Sequence, residues 1–229
     1  MRRIAIITAR GGSKRIPKKN IRMFCGNPII TYSIRAAQSS GLFDEVMVST
    51  DSEEIAEVAR EAGAKVPFFR SDANSGDYAT TVDVVAEVLK SYEEQGQSFD
   101  EAVCIYPTAP FITAEKLQRA VDRLEESGAD SAVCVVRYSF PPQRGFVIRN
   151  GLTEMLHPEY MMTRSQDLEP MYHDCGQFYV LNTASFLKQH RFFMEHTVSI
   201  ELPETEVQDI DNETDWIIAE MKYRMMIGQ

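Results

Sequence analysis

Two groups of charged residues, one near each end of the chain, have the types and spacing to handle a polyphosphate. The first is Ala9-Arg10-Gly11-Gly12-Ser13-Lys14-Arg15-Ile16-Pro17-Lys18-Lys19-Asn20, directly after the apolar run Ile4 to Thr8. Paired glycines let a chain turn sharply and bring its backbone close to a ligand. Amides exposed in such a turn make an anion-binding concavity, which Arg10, Lys14 and Lys19 would complete around a triphosphate. Ser13 and Asn20 add hydrogen-bonding groups. Neither the Walker spacing nor GxGxxG is present, so this is not an ordinary P-loop or dinucleotide turn. A plain solvated basic loop is the alternative. The coincidence of a strand end, paired glycines and several cations speaks against it.

The second group is Asp209-Ile210-Asp211, followed by Asn212-Glu213. In an extended chain, residues i and i+2 face the same way, about 6–7 Å apart. Asp209 and Asp211 would then hold Mg2+ while Ile210 turns inward. Magnesium takes one or two carboxylates and draws its other ligands from phosphates and water. The competing reading is that these residues only cap the following helix.

Two further segments offer groups to a second substrate. Tyr106-Pro107-Thr108-Ala109-Pro110 is stiffened by its prolines, which would aim Tyr106 and Thr108 at a ligand. Thr163-Arg164-Ser165-Gln166-Asp167-Leu168 and Tyr172-His173-Asp174-Cys175-Gly176-Gln177 are unusually polar for the approach to a strand. Arg164 could grip a carboxylate in two-point fashion. Adjacent strand residues point to opposite faces, so His173 and Asp174 read as structural groups or sugar contacts rather than an acid–base pair.

The elements that must position these groups alternate. Strands are expected at Ile4–Thr8, Glu45–Ser49, Ala102–Tyr106, Ser131–Arg137, Gln177–Leu181 and Thr197–Leu202, with a short one at Lys65–Phe68. Asn27-Pro28 reads as an N-cap and first turn of a helix ending before Gly41. Ser52 opens another that Gly63 closes. Val82, Val85, Ala86 and Leu89, and later Leu117, Ala120, Val121 and Leu124, have the spacing of a buried helical stripe. A final helix is expected from Glu213 to Met226. This βα rhythm predicts an α/β fold with a mostly parallel central sheet, helices on both faces, and ligands outside the carboxyl ends of the strands. The rhythm breaks after Arg137, where Asn150-Gly151 between apolar residues marks a hairpin. This stretch, 138–172, is expected to be an arm toward a second subunit, a lid, or a surface excursion within a single domain spanning 1–229.

Composition narrows the function classes. The 229 residues carry 24 Lys and Arg against 34 Asp and Glu, a formal charge of −10, which argues against nucleic acid as a partner. No acid precedes Asp44, whereas Arg2, Arg3, Arg22 and Arg35 join the cations of the glycine run. Cys25, Cys104, Cys134 and Cys175 form no CxxC pair, so reduced, mostly buried thiols are expected rather than zinc or a redox motif. No apolar run approaches the roughly 20 residues that span a bilayer, and a cytoplasmic protein without membrane contact is expected.

Taken in order, Arg10 to Asn20, Cys25-Gly26-Asn27-Pro28-Ile29-Ile30, Ser49-Thr50-Asp51, Tyr106 to Pro110 and Asp209-Ile210-Asp211 resemble the CMP-sialic acid synthetases (acylneuraminate cytidylyltransferases) over almost the whole chain. The resemblance implies a Rossmann-like nucleotidyltransferase (nucleotide-diphospho-sugar transferase) fold, a homodimer formed through the insertion, and CTP, Mg2+ and an acidic nine-carbon sugar as partners. It adds Arg70, Asp77 and Thr81 as nucleotide contacts. Sialic acid enzymes usually have glutamine where Tyr106 stands, and arginine near Phe111-Ile112. The Tyr-Pro-Thr loop, Arg164 to Leu168 and His173 to Tyr179 look more like the pseudaminic acid branch. Tyr106, Thr108, Arg164, Gln166, Asp167, Tyr172, Gln177 and Tyr179 are thereby expected on the sugar side. Legionaminate or N-acetylneuraminate is the alternative sugar. A non-catalytic nucleotide-binding module and a uridylyl- or guanylyltransferase are the alternative functions.

Overall fold

The computed structural model describes residues 1–76 and 78–229; Asp77, expected among the nucleotide contacts, lies outside the described residues. In chain order the elements are β1 (Arg3–Thr8), β2 (Met23–Phe24), β3 (Asn27–Pro28), α1 (Ile30–Ser40), β4 (Glu45–Ser49), α2 (Glu53–Glu61), α3 (Asp72–Ser75) and α4 (Thr81–Glu94). They continue with β5 (Glu101–Ile105), α5 (Ala114–Ser127), β6 (Ser131–Arg137), β7 (Phe146–Arg149) and β8 (Leu152–Met155). The chain ends with β9 (Tyr172–Asn182), α6 (Thr183–Gln189), β10 (Thr197–Glu201) and α7 (Glu213–Met226).

Six strands form one sheet in the order β10-β6-β9-β5-β1-β4. β1 pairs in parallel with β4 and β5, and β6 with β10, while β9 runs antiparallel to both β5 and β6. The sheet is therefore mostly parallel, as expected, with β9 the reversed strand. β1 shows why it must be covered on both faces. Ala5 and Ile7 enter one core with α1, α2 and α5, and Ile4 and Ile6 enter another with α4. Both sides of a strand buried this way read as a continuous apolar run.

A third cluster matters most for function. Ile16 from the glycine run, Phe24, Ile29, Phe111 after the Tyr106 loop, and Ile210 and Trp216 near the carboxyl end are buried together. Burying apolar surface is the main force that can hold segments so distant in sequence side by side.

Several local expectations are corrected. Asn27 and Pro28 do not start α1. Cys25 and Gly26 both take positive φ (43° and 96°), so they form a tight hairpin turn that pairs Phe24 with Asn27. Lys65 makes only an isolated bridge to Met47, not a strand to Phe68. The buried face of α4 is Val84, Val85, Val88, Leu89 and Tyr92, rotated from the expected stripe, whereas α5 buries the expected four with Lys116. The reading also omitted α6, whose start is capped by Asn182 accepting from Ser185 N. The hairpin at Asn150-Gly151 is present as β7 and β8. Among the described residues, no helix is long and apolar enough to cross a membrane.

Candidate active site

Loops after β1, β4 and β5 emerge at the same edge of the sheet because these strands are parallel. They frame a cleft of about 650 Å3 whose walls include Arg10, Ser13, Lys14, Arg15, Lys19, Asn20, Arg70, Thr81, Tyr106, Thr108, Asp209 and Asp211. The cationic run and the carboxylate couple, expected from opposite ends of the sequence, share this one cavity.

The glycine loop is held by its own side chains. Asn20, almost fully buried, donates from Nδ2 to the Arg10 carbonyl at 2.8 Å. Ser13 Oγ donates to the Ile16 carbonyl at 2.6 Å. Gly11 N–H, expected to face an anion, donates instead to Asp51 Oδ1 at 2.7 Å. A Cβ on Gly11 would stand 3.0 Å from Ser52 Cβ, whereas one on Gly12 would meet nothing within 4 Å. Gly11 is thus packed tightly against Ser52, and Gly12 is left open. Ala9 is buried in the core behind the loop, with its N–H on the Ser49 carbonyl at 2.9 Å.

The carboxylates are not the helix cap. Asn212 accepts from Asp215 N, and Asp215 Oδ2 accepts from the Asp211 and Asn212 amides at 2.9 and 3.0 Å. Capping falls to that pair, and Asp209 and Asp211 are left for the cleft. Arg15 Nη2 lies 2.7 Å from Asp211 Oδ1. Lys19 Nζ donates to the Ile210 carbonyl at 2.5 Å and stands 3.9 Å from Asp211 Oδ1. Desolvation in the cleft, then the neighbouring Asp211 charge, raises the Asp209 carboxyl above its ordinary range. Burial lowers the Lys19 ammonium, against the pull of Asp211 and Asp209. Burial and the charge of its neighbour together favour a cation beside Asp209. Among the described residues, no three His, Cys, Asp or Glu are grouped to hold a metal ion. Any metal here would need ligands from a substrate, which suits the habits of magnesium.

On the far wall, Arg70 donates to Ser49 O at 2.7 Å and to Ser49 Oγ at 3.2 Å; burial lowers its guanidinium. Thr81 is the first residue of α4 and shares a hydrogen bond with Tyr106.

A family model for cytidylyltransferases matches residues 4–214. The chain belongs to the cytidylyltransferase family. It is 39% identical, over 98% of its length and 97% of the relative's, to a pseudaminic acid cytidylyltransferase of Campylobacter jejuni. It is 34% identical to a CMP-N,N'-diacetyllegionaminic acid synthase of Legionella pneumophila, covering 96% and 95% of the two chains. A solved CMP:2-keto-3-deoxy-manno-octonic acid synthetase, complexed with CTP, shares the fold with a TM-score of 0.71 at 15% identity, each chain covered in full. The resemblance read from the motifs and the nucleotidyltransferase fold are both borne out.

Within one chain of this cytidylyltransferase, the expected sugar-side residues separate into three places. Tyr106 and Thr108 line the cleft. Tyr179 and Gln177 are buried behind it: the Tyr179 ring packs edge-on to Tyr106 at 5.7 Å and its hydroxyl donates to Asp174. Gln177 takes the Tyr106 amide on its carbonyl at 2.8 Å. Arg164, Gln166, Asp167 and Tyr172 do not reach the cleft. Arg164 pairs with Asp167 at 2.8 Å on the exposed arm. Gln166 lines a separate depression of about 410 Å3 with Arg137, Tyr138, Glu201 and Glu204. Tyr172 begins β9 opposite Arg137. His173 has Nδ1 2.9 Å from the Asp174 carbonyl and its ring against Tyr138, away from the cleft.

The sequence reading missed Arg15 and Asp51 as functional groups. Arg15 lies inside the basic run, where nothing local separates it from the other cations. Asp51 stands in a segment that carries the family resemblance, but its role in holding Gly11 had no local signal, since the two are 40 positions apart.

Proposed function

We propose that this cytidylyltransferase transfers CMP from CTP to the anomeric hydroxyl of pseudaminic acid, giving CMP-pseudaminic acid and pyrophosphate. The single cleft that joins the glycine–cation loop to Asp209 and Asp211 carries the reaction class. The similarity to the pseudaminic acid enzyme, over nearly the full length of both chains, supports the sugar.

The anomeric hydroxyl gives up its proton to solvent and its oxygen bonds to the α-phosphorus as the bond to the bridging oxygen breaks and pyrophosphate leaves. The protein supplies alignment and neutralisation of charge. Arg10, Lys14 and Lys19 face the triphosphate and the leaving pyrophosphate, and Arg70 and Thr81 form the wall for the nucleoside. Mg2+ held by Asp209 and Asp211 would supply Lewis-acid neutralisation of the reacting phosphate. Tyr106 and Thr108 present hydroxyls to the sugar from a loop stiffened by Pro107 and Pro110.

A homodimer is part of this reading. The arm exposes Phe140, Phe146, Ile148, Leu152 and Met162 to solvent. Large exposed apolar groups on one projection mark an interaction surface. Arg164, Gln166, Asp167 and Tyr172 belong to that arm, so their sugar role would be exercised across the subunit boundary. A cytoplasmic site of action fits the use of CTP and the four free cysteines.

Offering pseudaminate, legionaminate and N-acetylneuraminate together with CTP, and identifying the CMP-sugar by mass spectrometry, tests the proposal. CMP-pseudaminate should dominate. Equal or preferred formation of CMP-legionaminate or CMP-N-acetylneuraminate would refute the sugar assignment. Absence of pyrophosphate with every sugar, or higher rates with UTP or GTP, would refute the reaction.

A further inference from the structure

We propose that Lys116 is a positioning residue for the carboxylate couple. With the half-buried Glu206 it forms a strut tying the Tyr106–Pro110 loop to the segment that carries Asp209 and Asp211. The inference rests on the reading of those two carboxylates as metal ligands.

Lys116 is placed against two ordinary preferences. Lysine is rarely buried, yet this side chain is only 8% exposed. It also sits in the first turn of α5, where the helix dipole disfavours a cation. Its partners account for the placement. Nζ lies 2.6 Å from Glu206 Oε2 and donates to the Phe111 carbonyl at 2.7 Å. Phe111 follows the Tyr106–Pro110 loop directly, and its ring belongs to the same buried cluster as Ile210, the residue between the two aspartates. One lysine therefore grips both rims of the cleft.

The Glu206 backbone is fastened as well. Its carbonyl accepts from Gln177 Nε2 at 2.7 Å, which ties in β9. From the other side, Lys222 on α7 donates to the Val207 carbonyl at 2.7 Å and the Glu204 carbonyl at 3.0 Å. Asp209 is three residues beyond Glu206, and Val207 and Ile210 are both buried, so little slack remains between these fastenings and the carboxylates. Removing a group that orients metal ligands from outside the coordination sphere typically costs about 10–100-fold in metal affinity.

A buried ion pair often contributes little to stability relative to apolar replacements of similar volume, so the pair can be removed together. The test compares the wild-type protein, Lys116→Met/Glu206→Met, Lys222→Met and Asp211→Asn, using Mn2+ as the probe. Free Mn2+ is followed by electron paramagnetic resonance in the presence of CTP, alongside melting curves and metal-free CTP binding. The double variant and Lys222→Met should both melt close to wild type and bind CTP alone as wild type does. Their Mn2+ dissociation constants should rise about tenfold or more. The Mg2+ concentration for half-maximal rate should rise in parallel, with excess Mg2+ restoring turnover. Wild-type Mn2+ affinity in the folded double variant would overturn the strut alone, provided Asp211→Asn loses the metal. If Asp211→Asn binds Mn2+ as wild type does, the metal reading and the strut fall together.

Discussion

Arg15 and Asp211 lie 196 positions apart in the chain and 2.7 Å apart in the cleft. The contact joins the cationic run to the carboxylate couple and gives Asp211 a counter-charge within the protein. Both side chains remain open to water, so the pair contributes only about 0–1 kcal/mol to stability. Its significance is spatial: it puts the two chemical halves of the site within reach of one nucleotide.

Asp211→Asn keeps the shape of that residue and removes its charge. Turnover should fall by roughly 10³-fold or more, because several kcal/mol of charge stabilisation in the transition state depend on the metal. Metal-free CTP binding, measured by calorimetry, should stay near wild type. A near-normal rate at low Mg2+ would remove Asp211 from the reaction.

Gly11 and Gly12 should behave differently. Gly11→Ala presses a Cβ against Ser52, so it should lower stability by about 1–3 kcal/mol and displace the loop. Gly12→Ala meets no protein atom within 4 Å and should leave the melting temperature unchanged. A loss of CTP affinity in a fully stable Gly12→Ala would then report direct approach of the nucleotide to the loop. Equal melting temperatures for both variants would contradict the packing at Ser52.

The arm provides a test of assembly. Ile148 and Leu152 are exposed on the hairpin, and burying each at an interface would contribute about 1.5–3 kcal/mol. Ile148→Asp/Leu152→Asp should therefore weaken a dimer by at least 10²-fold, visible by analytical ultracentrifugation, with an unchanged circular dichroism spectrum. A wild-type protein that sediments as a monomer would exclude the dimer.

Asp130 carries a pH dependence far from the cleft. Its carboxylate accepts from Ser185 Oγ at 2.5 Å, from Gln189 Nε2 at 3.2 Å and from the His196 amide at 3.2 Å, and these bonds depress its pKa to about 2. A depressed carboxylate stabilises the folded state above the unfolded pKa, near 3.9, and loses that contribution as pH falls toward 2. Asp130→Asn should be less stable than wild type in urea at pH 7, with the difference shrinking between about pH 4 and pH 2. A difference constant across that range would refute the assignment.

The sequence alone determined the pieces. Strand β6, helix α7 and the buried stripe of α5 follow from periodicities that act over a few residues. So does the glycine–cation run, whose residue types are unusual enough to announce an anion site. Where a short-range preference met a longer-range constraint, the sequence misled. Asn27-Pro28 has the makings of a helix start, but the hairpin turn at Cys25-Gly26 takes both residues into a strand. At Asp209 and Asp211, capping and metal binding could not be separated until Asn212 and Asp215 were seen to hold the helix end. Only the tertiary structure decided that the basic run and the carboxylates share a cleft. The buried cluster of Ile16, Phe111, Ile210 and Trp216 does this, and apolar packing leaves no local signature of which distant partner each side chain will meet. The same reason hid the Lys116–Glu206 strut, whose two charges lie 90 positions apart and look like ordinary surface residues until the fold buries Lys116 against its partner.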